Sequence, residues 1–209
     1  MVKKNMKKLI ELAKKIRDEN LRKKVIEFLT NPKLSHPEFK KYPREKIEEA
    51  VTPFTVSSPS GGMTVERDVL NHTIAVTEMC ISASEILEKN FGLRLNRDFL
   101  IAAALLHDIM KVFEWKKTKE GVEHTGVMLD HTMLAVAELY KRNFPEEVIH
   151  IVASHIGESG PTPPRTFEAL LLSYIDSMLS LIEFRILQQK SYLILGDEFL
   201  KEMGEKTEK

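Results

Sequence analysis

Cysteine is almost absent from this 209-residue sequence: Cys80 stands alone, so no disulfide can form within the chain. A reducing cytoplasm is therefore the expected setting. No apolar run approaches the roughly 20 residues that a membrane-spanning helix needs. The opening residues, MVKKNMKKLIELAKK, lack the continuous apolar stretch and small-residue cleavage site of a secretory leader. Net charge is also missing, since Lys plus Arg and Asp plus Glu number 31 each. Bulk charge thus singles out no polyanionic partner. Strand-like alternation is scarce, and no internal repeat or low-complexity tract stands out.

What is present is 43% hydrophobic and 30% charged residues, the balance of a globular domain, in a length that suits one domain with an appendage. Charge is uneven locally. Residues 1–24 carry ten Lys or Arg against three acids, an excess that suits either phosphate contact or a solvated helix face.

Helical spacing dominates. Leu9, Leu12, Ala13 and Ile16, then Val25, Ile26, Phe28 and Leu29, predict two helices over residues 3–30 that break near Glu19–Asn20. A short helix is expected through REKIEEAV after Pro43. The segment 52–63, TPFTVSSPSGGM, reads as a loop because Pro53, Pro59 and Gly61–Gly62 interrupt it. Further helices are expected over about 67–90, 97–112, 127–142, 145–154, 166–189 and 191–204, with Gly92 as a C-cap and Asn96 as an N-cap. EWKKTKEGVEHTG reads as a polar loop. The expected fold is all-α: residues 1–52 form a helical extension packed on a helical domain over 53–209.

The chemistry gathers around AAALLHDIMK, residues 102–111. An apolar helix runs straight into His107 and Asp108, with Lys111 one turn later on the face of His107. A carboxylate at the mouth of a buried helix is unfavourable unless it is ion-paired or bound to a metal. Lys111 is the candidate for pairing. For a metal, further ligands stand at other helix ends: His72, His131, His155, and Asp176 inside the apolar run EALLLSYIDSMLSLI. A cation touching Asp108 and Asp176 removes both penalties. Imidazole with carboxylate suits Mn, Fe, Co, Ni or Zn, with Mg possible. Arg165, in GPTPPRT beyond His155, is a candidate phosphate contact. Glu114 reads either as an orienting acid for Lys111 or as an exposed helix-end residue.

This ordered set resembles the HD-domain metal-dependent phosphohydrolases. Their pattern is a His, a His-Asp pair and a distant Asp, matched here by His72, His107–Asp108 and Asp176. HDIMK is similar to the HD-x-x-K variant, whose lysine contacts a phosphate or polarises a nucleophilic water. His131 and His155 match the extra histidines of members that bind two ions bridged by the Asp of the pair. The resemblance covers roughly residues 65–180. ASHIGESGPTPPRTFEALLLSYIDSM is especially similar to the corresponding segment of the YhaM-type 3′-to-5′ exoribonucleases. Two features depart from that branch: Ile156 stands where it has a second histidine, and the N-terminal residues read as helices where it commonly carries an OB-type nucleic-acid-binding domain.

The resemblance implies an HD-type helical bundle with one or two divalent ions, Asp108 and Lys111 in catalysis, and Lys111 with Arg165 at the substrate. It implies attack of metal-bound hydroxide on a phosphoester of a nucleotide, a cyclic nucleotide or an oligoribonucleotide 3′ end. Expected partners are a nucleotide or a short RNA or DNA, with no membrane, and homo-oligomerisation is possible. The alternatives are a nucleotide- or nucleic-acid-binding module with a metal site and little turnover, an oxygenase on a similar di-iron site, or a structural helical protein.

Overall fold

The computed structural model describes residues 2–58 and 61–207, with side chains described over 5–54 and 64–190. Helices dominate. The first two, α1 (Val2–Ala13) and α2 (Glu19–Thr30), break over residues 14–18, slightly earlier than their periodicity predicts. Asp18 sets the break, because its side chain accepts the Leu21 N–H and caps α2. Their apolar faces, including Leu9, Leu12, Ile16, Val25, Phe28 and Leu29, join one core with residues as distant as Leu172 and Ile175.

Where the sequence predicts a short helix after Pro43, residues 47–49 make only a turn. Burying Ile47 and Ala50 needs no more than that. The expected loop that follows is instead a hairpin. Strand β1 (Val51–Ser58) pairs antiparallel with β2 (Gly61–Asp68), from Val51 opposite Asp68 to Ser58 opposite Gly61. The β-branched and aromatic residues Val51, Thr52, Phe54, Thr55 and Val56 favour a pleated strand. A two-stranded ribbon tolerates Pro53, since each strand has an edge to which a missing N–H can turn. Along β2 burial alternates: Val65 and Arg67 point inward while Thr64, Glu66 and Asp68 face solvent.

Asp68 ends the strand and caps α3 (Val69–Phe91) by accepting the Asn71 N–H. Gly92, left-handed at φ 63°, closes α3, and Asn96 caps α4 (Arg97–Leu106) through the Phe99 N–H, both as predicted. Every residue of α4 from Leu100 to Leu106 is buried. It is the central helix, packed against α1, α2, α3 and two later helices, α7 (Glu146–Ala153) and α8 (Phe167–Thr207).

After α4 the chain departs from a single helix to 112. His107–Met110 form turns, and α5 is the short Lys111–Glu114. The expected polar loop is a second hairpin, β3 (Trp115–Thr118) with β4 (Gly121–His124). Asp130 then caps α6 (His131–Lys141), which starts later than 127 because the cap fixes its first turn at His131. The two helices expected over 166–189 and 191–204 form the single α8. Among the described residues, no helix is long and apolar enough to cross a membrane. Cys80 is buried, and burial pushes its thiol pKa up, which leaves it chemically quiet.

Candidate metal centre

Five elements meet at one end of α4. His72 comes from the first turn of α3, and His107 and Asp108 from the turn that ends α4. His131 opens α6, His155 follows α7, and Asp176 lies on α8. The structure brings these six sequence-predicted residues together. His72, His107, Asp108 and His155 are essentially buried, while His131 and Asp176 are partly so.

Asp108 stands between two lobes. Its Oδ2 lies 3.7 Å from His107 Nε2 and 3.9 Å from His72 Nε2. Its Oδ1 lies 3.3 Å from His131 Nε2 and 3.8 Å from His155 Nε2. Asp176 belongs to the first lobe, with Oδ1 at 2.8 Å from His72 Nε2 and 3.9 Å from His107 Nε2. Each lobe is compact enough to hold a metal ion: His72, His107 and Asp108 in one, Asp108, His131 and His155 in the other.

The second nitrogen of every imidazole is held. His107 Nδ1 bonds the Ala104 carbonyl at 2.8 Å, and His155 Nδ1 bonds the Val152 carbonyl at 2.7 Å. Each carbonyl accepts, so each Nδ1 carries the proton and Nε2 presents its lone pair. His131 Nδ1 bonds Glu114 Oε2 at 2.9 Å, and His72 Nδ1 bonds Glu183 Oε2 at 2.8 Å. Imidazoles that bind metals are oriented in this way by carboxylates and carbonyls.

The donor set fits a divalent cation on three counts. Among the described residues, His107 Nε2 and His131 Nε2 are buried with no hydrogen-bond partner, which is unfavourable for an imidazole nitrogen unless a cation takes the lone pair. His72 Nε2 and Asp176 Oδ1 approach to 2.8 Å, a separation two lone pairs tolerate only with a proton or an ion between them. The set is three oxygens and four imidazole nitrogens, the ligand types of first-row divalent ions.

Electrostatics agree with this arrangement. Burial opposes the ionised Asp108, but Lys111, His107 and His131 outweigh it and hold the carboxyl well below its usual range. Asp176 is likewise lowered: burial is overcome by the hydrogen bond from His72 and by His107. Burial lowers His107, and lowers His155 to about 4, so both are neutral at neutral pH. For His72 and His131 burial also disfavours the proton, but the nearby carboxylates, Asp176 and Glu183 beside His72 and Asp108 and Glu114 beside His131, outweigh it and raise both.

This split has a measurable consequence. A raised histidine keeps its proton above pH 6.5, and the proton must leave when Nε2 takes an ion. Ion binding near pH 7 is therefore expected to release protons from His72 and His131, and apparent affinity to rise with pH through that range. Titration calorimetry in two buffers of different ionisation heat reads the release. Identical heats in both would contradict the assignment.

Glu183 is hidden in the sequence, and Glu114 shows there as a candidate whose partner is not Lys111 but His131. Glu114 is not an exposed helix-end acid but a half-buried acceptor for His131, and no periodicity marks it. Replacing it with Gln should weaken ion binding in the second lobe by roughly 10–100-fold while sparing the first. Equilibrium dialysis with Mn²⁺ measures this directly.

Lys111 Nζ lies 2.9 Å from Asp108 Oδ2 and lines a cleft of about 390 Å³ that opens over the lobes. It meets Asp108, three residues before it, rather than sharing a helical face with His107, because the helix ends between them. A second cation stands there, missed in the sequence. Arg67 on β2 is buried, donates to Asp108 Oδ2 at 3.1 Å and to Ser180 Oγ at 2.8 Å, and lines the same cleft. Only the inward–outward alternation of β2, once the strand has formed, turns it toward the cleft. Arg165 is not brought to the cleft: its side chain is exposed, and its backbone N–H is tied to His150 Nε2 at 3.1 Å. Ile156 sits on the rim, and Gly157 turns the chain at φ +80°, where a Cβ would meet Ser173 Oγ at 2.8 Å.

Comparison with known proteins agrees with this geometry. The HD domain family matches residues 69–181, a span containing all six clustered residues and Lys111, but neither Arg67 nor Glu183. The chain is 44% identical over 191 residues to the dihydroneopterin 2′,3′-cyclic phosphate phosphodiesterase of Methanocaldococcus jannaschii, covering 89% of this chain and 74% of that protein. It is 38% identical over 98 residues to the 3′-5′ exoribonuclease YhaM of Bacillus subtilis, covering 40% of this chain and 31% of that protein. A Geobacillus YhaM is 35% identical over 96 residues, again 40% of this chain and 30% of that one. No solved structure matches the chain. The chain belongs to the HD-domain family of metal-dependent phosphohydrolases.

Proposed function

We propose that this chain hydrolyses a small cyclic phosphodiester, a 2′,3′-cyclic phosphate of a nucleoside or a nucleoside-like heterocycle. The observation that supports this reading is Asp108, whose two oxygens face two lobes of imidazoles beneath an open cleft, each lobe holding one ring nitrogen without a hydrogen-bond partner among the described residues. The substrate class rests on the relative that shares most of the chain's length and is named for a 2′,3′-cyclic phosphate. In this reading His72, His107, Asp108 and Asp176 hold one ion, and Asp108, His131 and His155 hold a second, each Mn, Fe, Co, Ni or Zn, with Mg a weaker fit. Such ions, when bound, supply Lewis acidity to the phosphoryl oxygens and lower the pKa of water. Lys111 neutralises charge on the phosphate. Glu114 and Glu183 keep the imidazoles in register, and the carbonyls of Ala104 and Val152 fix the tautomers of His107 and His155.

The runner-up reading, cleavage of oligoribonucleotide 3′ ends, is favoured by the YhaM similarity and the basic residues of α1 and α2. The cleft volume favours a small substrate. The extension over 1–52 works as part of one unit with residues 53–209 in a reducing cytoplasm. The exposed apolar residues Leu170, Tyr174, Leu181 and Ile182 along α8 suit a homo-oligomer. The test is chelated protein reloaded with Mn²⁺, Fe²⁺, Co²⁺, Ni²⁺, Zn²⁺ or Mg²⁺ and offered 2′,3′-cyclic nucleotides, 3′,5′-cyclic nucleotides and oligoribonucleotides. Ion-dependent opening of a 2′,3′-cyclic phosphate to the monoester is the expected result. Degradation of oligomers alone would overturn the preferred substrate.

A further inference from the structure

Arg67 poses a question that the six clustered residues and Lys111 do not answer. It lies outside the matched family segment, on a hairpin ahead of the helical core. Yet its side chain is only 6% exposed and reaches Asp108 at the floor of the cleft. Arginine is seldom buried without a matched set of acceptors. Here the acceptors do not match. Of its five donors, one meets Asp108 Oδ2 and one meets Ser180 Oγ, while Glu183 Oε2 stands off at 3.9 Å. Its Nε is buried with no hydrogen-bond partner among the described residues.

The carboxylate it meets is also over-subscribed. Asp108 Oδ2 takes Lys111 at 2.9 Å as well as Arg67 at 3.1 Å, and the same oxygen faces His72 and His107. One oxygen cannot neutralise two cations and serve an ion too. Local charge points the same way. Asp108, Asp176, Glu114 and Glu183 contribute four negative charges and Arg67 with Lys111 two positive ones, so two divalent ions make the site net positive. A net positive, half-desolvated cleft requires an anion.

The guanidinium is also held in place. Its carbon lies 5.3 Å from the Phe54 ring centroid, and Phe54 in turn packs edge-on against Phe184 at 6.0 Å. Stacking on one face leaves the edge of the plane for hydrogen bonds, and each terminal nitrogen keeps a second N–H beyond those to Asp108 and Ser180, in the geometry that suits two phosphoryl oxygens.

Resting on the phosphohydrolase reading above, we infer that Arg67 is a substrate-binding residue that takes the phosphate opposite Lys111, with Phe54 as its backing. The β1–β2 hairpin thereby supplies half of the phosphate clamp, and the helical core supplies the other half. Its ligand class is a phosphomonoester or phosphodiester anion, and inorganic phosphate is the minimal probe.

The competing role is structural, with Arg67 merely holding Asp108 in position. Two affinities separate the roles: Mn²⁺ for the chelated protein, and inorganic phosphate for the Mn²⁺-loaded protein, both by calorimetry on the full chain. Arg67→Met keeps the apolar stem against Phe54 and removes the fork. Arg67→Lys keeps a point charge. Loss of a charge-assisted bond to phosphate should weaken phosphate binding by about 10–100-fold in Arg67→Met and by less in Arg67→Lys. Mn²⁺ affinity should stay level or rise, since a cation beside a ligand oxygen is gone. Phosphate affinity unchanged in both variants overturns the inference. So does a tenfold or larger fall in Mn²⁺ affinity that tracks the fall in phosphate affinity. If Arg67→Met shows no cooperative melt, Arg67→Lys is judged by the same two readings. If the unmodified protein with Mn²⁺ binds no phosphate, the phosphohydrolase reading falls and takes Arg67 with it. If it binds phosphate and the variants do so equally, only the role of Arg67 falls.

Discussion

Asp108→Ala is expected to abolish ion-dependent phosphodiester hydrolysis. Removing a single preorganised donor from an active site costs roughly 10²–10³-fold in rate. Asp108 supplies an oxygen to each lobe, so its loss should exceed that figure. The substitution also strips the anion from Arg67 and Lys111, which are 6% and 11% exposed. Leaving one member of a buried pair uncompensated destabilises by about 3–5 kcal/mol. Asp108→Asn separates the two effects. It keeps the shape of the side chain and one acceptor for the cations but cannot bridge, so it should melt nearer to the unmodified protein and be equally inactive. Steady-state assays with a 2′,3′-cyclic nucleotide, beside thermal melts, read both. Appreciable turnover in a folded Asp108→Asn protein would sink the assignment of this residue to the ions.

The second large effect concerns how many ions are bound. His155→Ala is expected to lower the metal content from two ions per chain to one. The second lobe draws only on Asp108 Oδ1, His131 and His155, and would keep two protein donors. The first lobe keeps His72, His107, Asp176 and Asp108 Oδ2 untouched. His155 is neutral down to about pH 4, so its own lone pair is available across the working range, and any loss of ion from the second lobe on acidification to pH 5 falls to His131, whose pKa is raised. His107→Ala, by contrast, removes a nitrogen from the first lobe. Elemental analysis after loading with excess Mn²⁺ and removal of unbound ion settles the count, and a single ion in the unmodified protein would refute the two-lobe reading.

The sequence revealed the helical framework and the clustered residues because both leave local traces. Apolar runs at helical spacing carry polar breaks at His107–Asp108 and Asp176, and such breaks stand out. Arg67 left no such trace. It follows Pro53, Pro59 and Gly61–Gly62, residues that punctuate loops as readily as hairpins, and it immediately precedes a helical pattern that absorbs it. Only the strand, whose alternation buries every second residue of β2, turns Arg67 inward. The partners of Glu114 and Glu183 were hidden for a different reason. A single acid on a helix is ordinarily solvated, and what makes these two acceptors for His131 and His72 is packing between elements far apart in the chain. The hairpin over 115–124 looks like a loop in the sequence because its strands are four residues each and mostly polar, so their pairing rests on backbone bonds rather than on an apolar face.

The four imidazoles arrive in the folded protein already locked at Nδ1 by Ala104, Val152, Glu114 and Glu183. Their rotational freedom is surrendered during folding, so little ordering remains for the moment of loading. Imidazole and carboxylate donors suit every first-row divalent ion, and for such sites raw affinity generally runs in the order that places copper and zinc above iron and manganese. Mismetallation is therefore the characteristic hazard of this centre. Protein purified from a foreign host should carry that host's most available ion, and an inactive preparation should recover on chelation and exchange.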